Sequence, residues 1–193
     1  MSTSPHTNIA TMLTWVRVAA IPLVVLVFYL PYAWAYPAAS VLFILAAITD
    51  GLDGYLARRL DLQSDFGAFL DPVADKLMVV TVLVVIVQAN PQIYLAVIAA
   101  IIIGREVMVS ALREWMAEIG RRQQMAVTGV AKFKTIAQMF GLSLMLWTYD
   151  LFGIPVYAIG TALLIIAAGL TVWTLVAYIR AAWPYLVGHE ELS

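Results

Sequence analysis

Apolar residues run along this chain in six long blocks, and the breaks between them are made of Pro, Gly, Asn and charge. The pattern predicts helices at 8–30, 36–58, 67–89, 91–119, 129–149 and 153–183. A bilayer core needs about 20 apolar residues per crossing. Each block is therefore long enough to span, and the fourth and sixth are long enough to project beyond. The polar positions are distributed unevenly between the breaks. The connections at 31–35 and 89–92 carry no charge, and Asp150 is the only charge near 150–154. Arg58 and Arg59 follow the second block, whereas Arg121, Arg122, Lys132 and Lys134 lie around the link between the fourth and fifth. Lys and Arg concentrate in cytoplasmic loops, so both termini and the 2–3 and 4–5 connections are expected in the cytoplasm. Tyr32, Trp34, Tyr36, Trp147 and Tyr149 fall at the opposite interface, where an aromatic belt belongs.

Composition sharpens this into an all-α integral membrane protein with about six transmembrane helices. Hydrophobic residues make up 63% of the chain and charged residues 12%, with a mean hydropathy of +0.92. Soluble proteins hold about 45–50% apolar and about 25% charged residues. Six crossings consume about 120 residues, so 193 residues make one domain, 1–193, with short loops. The N-terminal segment lacks a basic leader and a nearby small-residue cleavage site, so the first apolar block is expected to stay as a membrane helix. Cysteine is absent, which excludes disulfides and thiolate metal sites. His6 and His189 are expected outside the helices, with no ligand-like spacing. No nucleic-acid partner is expected.

The stretch from Asp50 to Asp75 departs from this apolar background, with acids and small residues at helical spacing. At 100° per residue, Asp50, Asp53, Gly54 and Ala57 occupy an arc of roughly 100°, two carboxylates beside two clearings. Arg58, one position further round, is placed to fork onto a phosphate. Gly67, Asp71 and Asp75 recur every four residues along the next helix. Pro72 disfavours helical geometry at Asp71 and removes a donor, so that helix is expected either to begin near 71 or to kink there. Carboxylates within a membrane are costly and usually functional. Hard oxygen donors without Cys or His suit Mg²⁺, Mn²⁺ or Ca²⁺, and two ions sharing four acids make a clamp for a phosphoryl-type displacement.

These residues resemble a known signature. Asp-x-x-Asp-Gly-x-x-Ala-Arg, eight residues, then Gly-x-x-x-Asp-x-x-x-Asp is the pattern of the CDP-alcohol phosphatidyltransferases, matched here by Asp50, Asp53, Gly54, Ala57, Arg58, Gly67, Asp71 and Asp75. The opening segment with Asn8, Thr11, Leu13, Thr14 and Arg17 is also similar. The stretches Phe66–Lys76, Gly104–Glu118 and Gly129–Thr135 resemble the bacterial phosphatidylglycerophosphate synthase branch in particular. Coverage is about residues 8–138; the remainder matches only as hydrophobic helix. The resemblance implies six transmembrane helices with a polar cavity facing the cytoplasm, a homodimer, and two Mg²⁺ or Mn²⁺ ions held by Asp50, Asp53, Asp71 and Asp75, with Asp75 also the general base. It implies that Thr11, Thr14, Gly54, Ala57, Arg58 and Ser64 hold CDP-diacylglycerol, in a multi-pass protein of the bacterial inner membrane surrounded by membrane lipids.

The implied acceptor, sn-glycerol 3-phosphate, brings its own phosphate and needs a cationic cradle apart from the metals. Arg105 and Arg113, eight apart on the fourth helix and about 80° apart in azimuth, are expected to line one wall, with Lys132 and Lys134 opening the fifth helix. Arg121 and Arg122 fit the positive-inside bias alone. Arg105 lies deep in an apolar run and needs a partner or a ligand, with Glu106 or a cavity carboxylate as candidate partners. For Arg17, substrate contact and simple charge pairing both stay open; Lys76 can pair with a neighbouring aspartate. Serine, inositol phosphate or phosphatidylglycerol are alternative acceptors. In other classes, a divalent-cation transporter would use intramembrane carboxylates too, although the far half of every helix is nearly bare of polar groups, and a non-catalytic lipid-binding subunit would not need Asp75.

Overall fold

The computed structural model describes residues 5–60, 65–121 and 129–187, with side chains described for 15–49, 70, 72–121 and 133–187. The described residues form six helices: α1 Pro5–Phe28, α2 Ala35–Leu60, α3 Asp65–Ala89, α4 Ile93–Glu118, α5 Gly129–Trp147 and α6 Val156–Leu186. Among them there is no strand, only an isolated bridge between Leu151 and Ile154. The helices fall where the apolar blocks predicted them. Residues 72–89, α4 and α6 are long and apolar enough to cross a membrane. At 1.5 Å per residue, α4 measures about 39 Å and α6 about 46 Å, both longer than a hydrocarbon core of about 30 Å.

One expectation is corrected. His6 lies inside α1, because Pro5 occupies the first helical position, where a missing N–H costs nothing. Of the two courses open at Pro72, a start near Asp71 is excluded, since α3 begins at Asp65, close to the predicted start at 67, and contains Pro72. Proline within a membrane helix is tolerated where neighbouring groups satisfy the freed carbonyl.

The chain divides into two compact units. The first comprises 1–90 and 142–160. Within it α1 packs on α2 and α3, around Val24, Phe28, Ala39, Phe43, Val82 and Leu83, all 5% exposed or less. The buried Ser40 hydroxyl donates to the Ser143 carbonyl (2.7 Å) and so ties α2 to the end of α5. One end of this unit is aromatic. Tyr32 and Trp34 stack at 5.6 Å, Tyr36 meets both Phe28 and Tyr149 edge-on, and the Tyr29 hydroxyl donates to Gln88 (2.7 Å). Nearby, the chain reverses at Leu151–Ile154, where Phe152 (φ 53°) and Gly153 (φ 80°) take the paired positive angles of a two-residue hairpin turn.

The second unit comprises 91–141 and 161–193. Here Val109 and Met116 of α4 pack against Tyr178 and Ala182 of α6. α4 stops where Gly120 adopts φ 74°. Its N–H bonds to the Ala117 carbonyl, and the Arg121 N–H bonds to that of Met116. This is the glycine-dependent helix stop that satisfies two terminal carbonyls, and it leaves Arg121 just past the helix end. The faces of α6 differ. Thr171, Thr174, Tyr178 and Ala182 are buried at helical spacing, while Trp173 and Trp183 are 73% and 59% exposed, as expected for surface that lipid covers.

Candidate active site

The carboxylate region belongs to the first unit. Asp50 and Asp53 stand on α2, one turn apart and inside its last three turns; Asp71 and Asp75 stand one turn apart on α3. The helical spacing read from the motif is thus realised in both backbones. The side chains of Thr11, Thr14, Asp50, Asp53, Gly54, Ala57, Arg58, Ser64, Asp71 and Lys132 lie outside the described residues. Asp75 is described. Its carboxylate is 45% exposed, and its Oδ1 accepts from the Arg17 Nη1 at 3.3 Å. Arg17 is only 3% exposed on α1. A guanidinium withdrawn from solvent requires a partner, so the question left open for Arg17 is answered in part: one of its contacts is Asp75. Asp75 and Gln88, on one helix, are separated by about 20 Å along the axis. The acid end and the aromatic end of this unit are therefore opposite ends.

The basic region belongs to the second unit and is organised by one carboxylate. Glu106 Oε1 accepts from both Lys134 Nζ (2.6 Å) and Arg105 Nη1 (2.9 Å). Arg105 and Lys134 are 8% and 3% exposed in their side chains, and Glu106 is 22%. Arg105 also donates from Nη2 to Thr174 Oγ1 (3.2 Å), and that hydroxyl donates onward to the Thr171 carbonyl (3.0 Å). Arg113 donates from Nη2 to the Tyr178 hydroxyl at 2.7 Å. Three of the four predicted acceptor-site cations, Arg105, Arg113 and Lys134, therefore share one neighbourhood, with Glu106 as counter-ion. Three positive charges against one negative leave two. Among the described residues, the Nε donors of Arg105 and Arg113 are buried without an acceptor, an unusual condition in a folded interior.

Residues 7–173 match the sequence profile of the CDP-alcohol phosphatidyltransferases. The chain belongs to that family. It is 54% identical, over 96% of both lengths, to a CDP-diacylglycerol–glycerol-3-phosphate 3-phosphatidyltransferase of Pseudomonas fluorescens. Proteins of the same name from Pectobacterium atrosepticum and Salmonella typhimurium are 49% and 47% identical, over 91% of this chain and 94% of theirs. With its long apolar helices, this member of the CDP-alcohol phosphatidyltransferases is a transferase of the membrane.

The donor set suits the divalent ions that such transferases use. Two pairs of acids, each one helical turn apart, offer hard oxygen ligands, and Asp75 is open enough to solvent to admit a hydrated ion. Among the described residues, no group of three acids or histidines stands together; the side chains of Asp50, Asp53 and Asp71 lie outside them.

Two participants in the basic region, Thr174 and Tyr178, went unassigned by sequence reasoning, and a third was assigned in part. Glu106 pairs with Arg105 as anticipated, whereas its bond to Lys134 was not foreseen. Thr174 and Tyr178 were missed, since α6 resembled nothing but hydrophobic helix. One signal was present. Thr171, Thr174 and Tyr178 recur at helical spacing in a helix with few other polar positions, and polar residues on one face of a membrane helix mark a helix contact.

Proposed function

We propose that the protein transfers the phosphatidyl group of CDP-diacylglycerol to sn-glycerol 3-phosphate, giving phosphatidylglycerophosphate and CMP. The observation that carries this is the near full-length similarity, at 47–54% identity, to bacterial proteins named for that reaction. The chain acts as one domain with six membrane spans, both termini in the cytoplasm and a cavity open to that side. It sits in the bacterial inner membrane as a homodimer.

Asp50, Asp53, Asp71 and Asp75 hold two Mg²⁺ or Mn²⁺ ions, which when bound neutralise the diphosphate and make CMP a better leaving group. Thr11, Thr14, Gly54, Ala57, Arg58 and Ser64 seat the nucleotide and its diphosphate. Asp75 accepts the proton of the glycerol hydroxyl as that oxygen bonds to the lipid-side phosphorus. The bond from that phosphorus to the bridging oxygen breaks, and the oxygen leaves with CMP. Arg17, bonded to one oxygen of Asp75, orients the carboxylate for this step.

Arg105, Arg113, Lys132 and Lys134 receive the acceptor's phosphate. The excess of two positive charges among the described members of this cluster balances a phosphate monoester dianion. It supports glycerol 3-phosphate over serine, which is zwitterionic, and over phosphatidylglycerol, a phosphodiester with one charge. Membership of a transferase family gives the ion-transport alternative no support. Purified protein supplied with CDP-diacylglycerol, Mg²⁺ or Mn²⁺ and a panel of acceptors tests the assignment. CMP and lipid product should form with glycerol 3-phosphate alone; product with serine or inositol phosphate instead would refute the acceptor and spare the family chemistry.

A further inference from the structure

Arg105 and Arg113 are eight residues apart on α4, a separation of about 12 Å along the helix axis. Both turn to one aromatic ring. The guanidinium carbons lie 5.8 Å and 5.2 Å from the ring centroid of Tyr178, and the phenol oxygen accepts from Arg113. Tyr178 cannot easily move away. It is 6% exposed and fixed between Val109, Met116 and Ala182. An aromatic face attracts cations, so the ring gathers two like charges that would otherwise repel each other. Both guanidinium groups nevertheless keep a buried Nε without an acceptor among the described residues. Two gathered cations with unused donors form a receptor arranged in advance for an anion, and Tyr178 is the residue that arranges it.

We infer that Tyr178 is a positioning residue for acceptor selection: it sets the spacing of Arg105 and Arg113, so that both address one phosphate monoester. This rests on the reading that the cluster receives the acceptor's phosphate. It gives α6, the helix for which the family signature offers no role, a part in choosing the substrate. Thr174, one turn earlier on α6, holds the other branch of Arg105 and completes the support from that helix.

The test separates ring from hydroxyl. Tyr178→Phe keeps the aromatic face and loses the bond to Arg113; Tyr178→Leu loses both. A hydrogen bond to a charged group and a cation–aromatic contact of this kind correspond to roughly tenfold each in affinity. The Michaelis constant for glycerol 3-phosphate should therefore rise about tenfold in Tyr178→Phe and further in Tyr178→Leu. The constant for CDP-diacylglycerol and the turnover at saturating acceptor should stay within about twofold. Inorganic phosphate, used as a competitor of the acceptor, should lose affinity in the same order. Thermal unfolding in detergent identifies folded variants, and if Tyr178→Leu does not fold, Tyr178→Phe decides. The inference is overturned if folded Tyr178 variants keep wild-type acceptor and phosphate constants while Arg113→Ala raises both. A fall in turnover with unchanged acceptor constants would equally reduce Tyr178 to a packing residue. If Arg113→Ala also leaves both constants unchanged, the cluster is not the acceptor site, and that reading fails together with the inference.

Discussion

Glu106→Gln removes one charge and keeps the shape, at the single carboxylate that joins Arg105 to Lys134. In the native protein, Glu106 accepts two charge-assisted bonds, at 2.6 Å and 2.9 Å, from side chains that are 3% and 8% exposed. A hydrogen bond between charged groups contributes about 1.5–3 kcal/mol, against about 1 kcal/mol for a neutral acceptor. Replacing a carboxylate by an amide oxygen in both bonds therefore costs about 1–4 kcal/mol. Loss of the only described counter-charge beside Lys134 pushes the result toward the upper part of that range, because an uncompensated buried charge is expensive. Partial exposure of Glu106 and the retained amide oxygen push it down. The expected net destabilisation is about 2–3 kcal/mol, measured by equilibrium unfolding in mixed detergent and denaturing micelles. A double-mutant cycle with Lys134→Met should return a coupling of at least about 1 kcal/mol. The variant also raises the local excess of positive charge from two to three. Millimolar glycerol 3-phosphate should then stabilise Glu106→Gln more than it stabilises the wild type, since binding to the folded state alone adds to stability. Destabilisation below about 0.5 kcal/mol together with no coupling to Lys134 would refute the role assigned to Glu106.

Asp75→Asn should lower turnover by at least about a hundredfold, the usual scale for losing a general base, with the fold retained in detergent. Chelation by EDTA should abolish CMP release, and Mg²⁺ or Mn²⁺ should restore it in the wild type but not in Asp75→Asn. Arg17→Ala should reduce turnover more than it raises the Michaelis constant for glycerol 3-phosphate, since Arg17 bonds to Asp75; the reverse pattern would make Arg17 an acceptor contact. Two glycines separate backbone from packing effects, because an added Cβ meets nothing among the described residues within 4 Å at either. Gly120→Ala should destabilise by about 1 kcal/mol through its φ of 74°, whereas Gly104→Ala, inside α4, should be neutral or stabilising by up to about 1 kcal/mol. Thermal unfolding of the two variants side by side checks both signs.

The sequence by itself determined whatever depends on neighbours three or four residues away. Apolar blocks located six helices to within a few residues, since helix formation within apolar surroundings is a local matter of length and composition. The α2 and α3 acids sit at their predicted helical spacing, because helix period fixes which residues share a side. Where local cues competed, the predictions were weakest: Pro72 left a late start or a kink open for α3, which in fact runs through it from Asp65, and His6, inside α1, was read as lying outside it. Only the tertiary structure decided the pairings. Arg17 meets Asp75 across 58 residues, Lys134 meets Glu106 across 28, and Arg113 meets Tyr178 across 65. Helical period sets the azimuth of a side chain on its own helix, but the packing of whole faces selects what it meets. For that reason the signature could name the acids while α6, with no motif of its own, stayed unread until Tyr178 was found beneath two arginines.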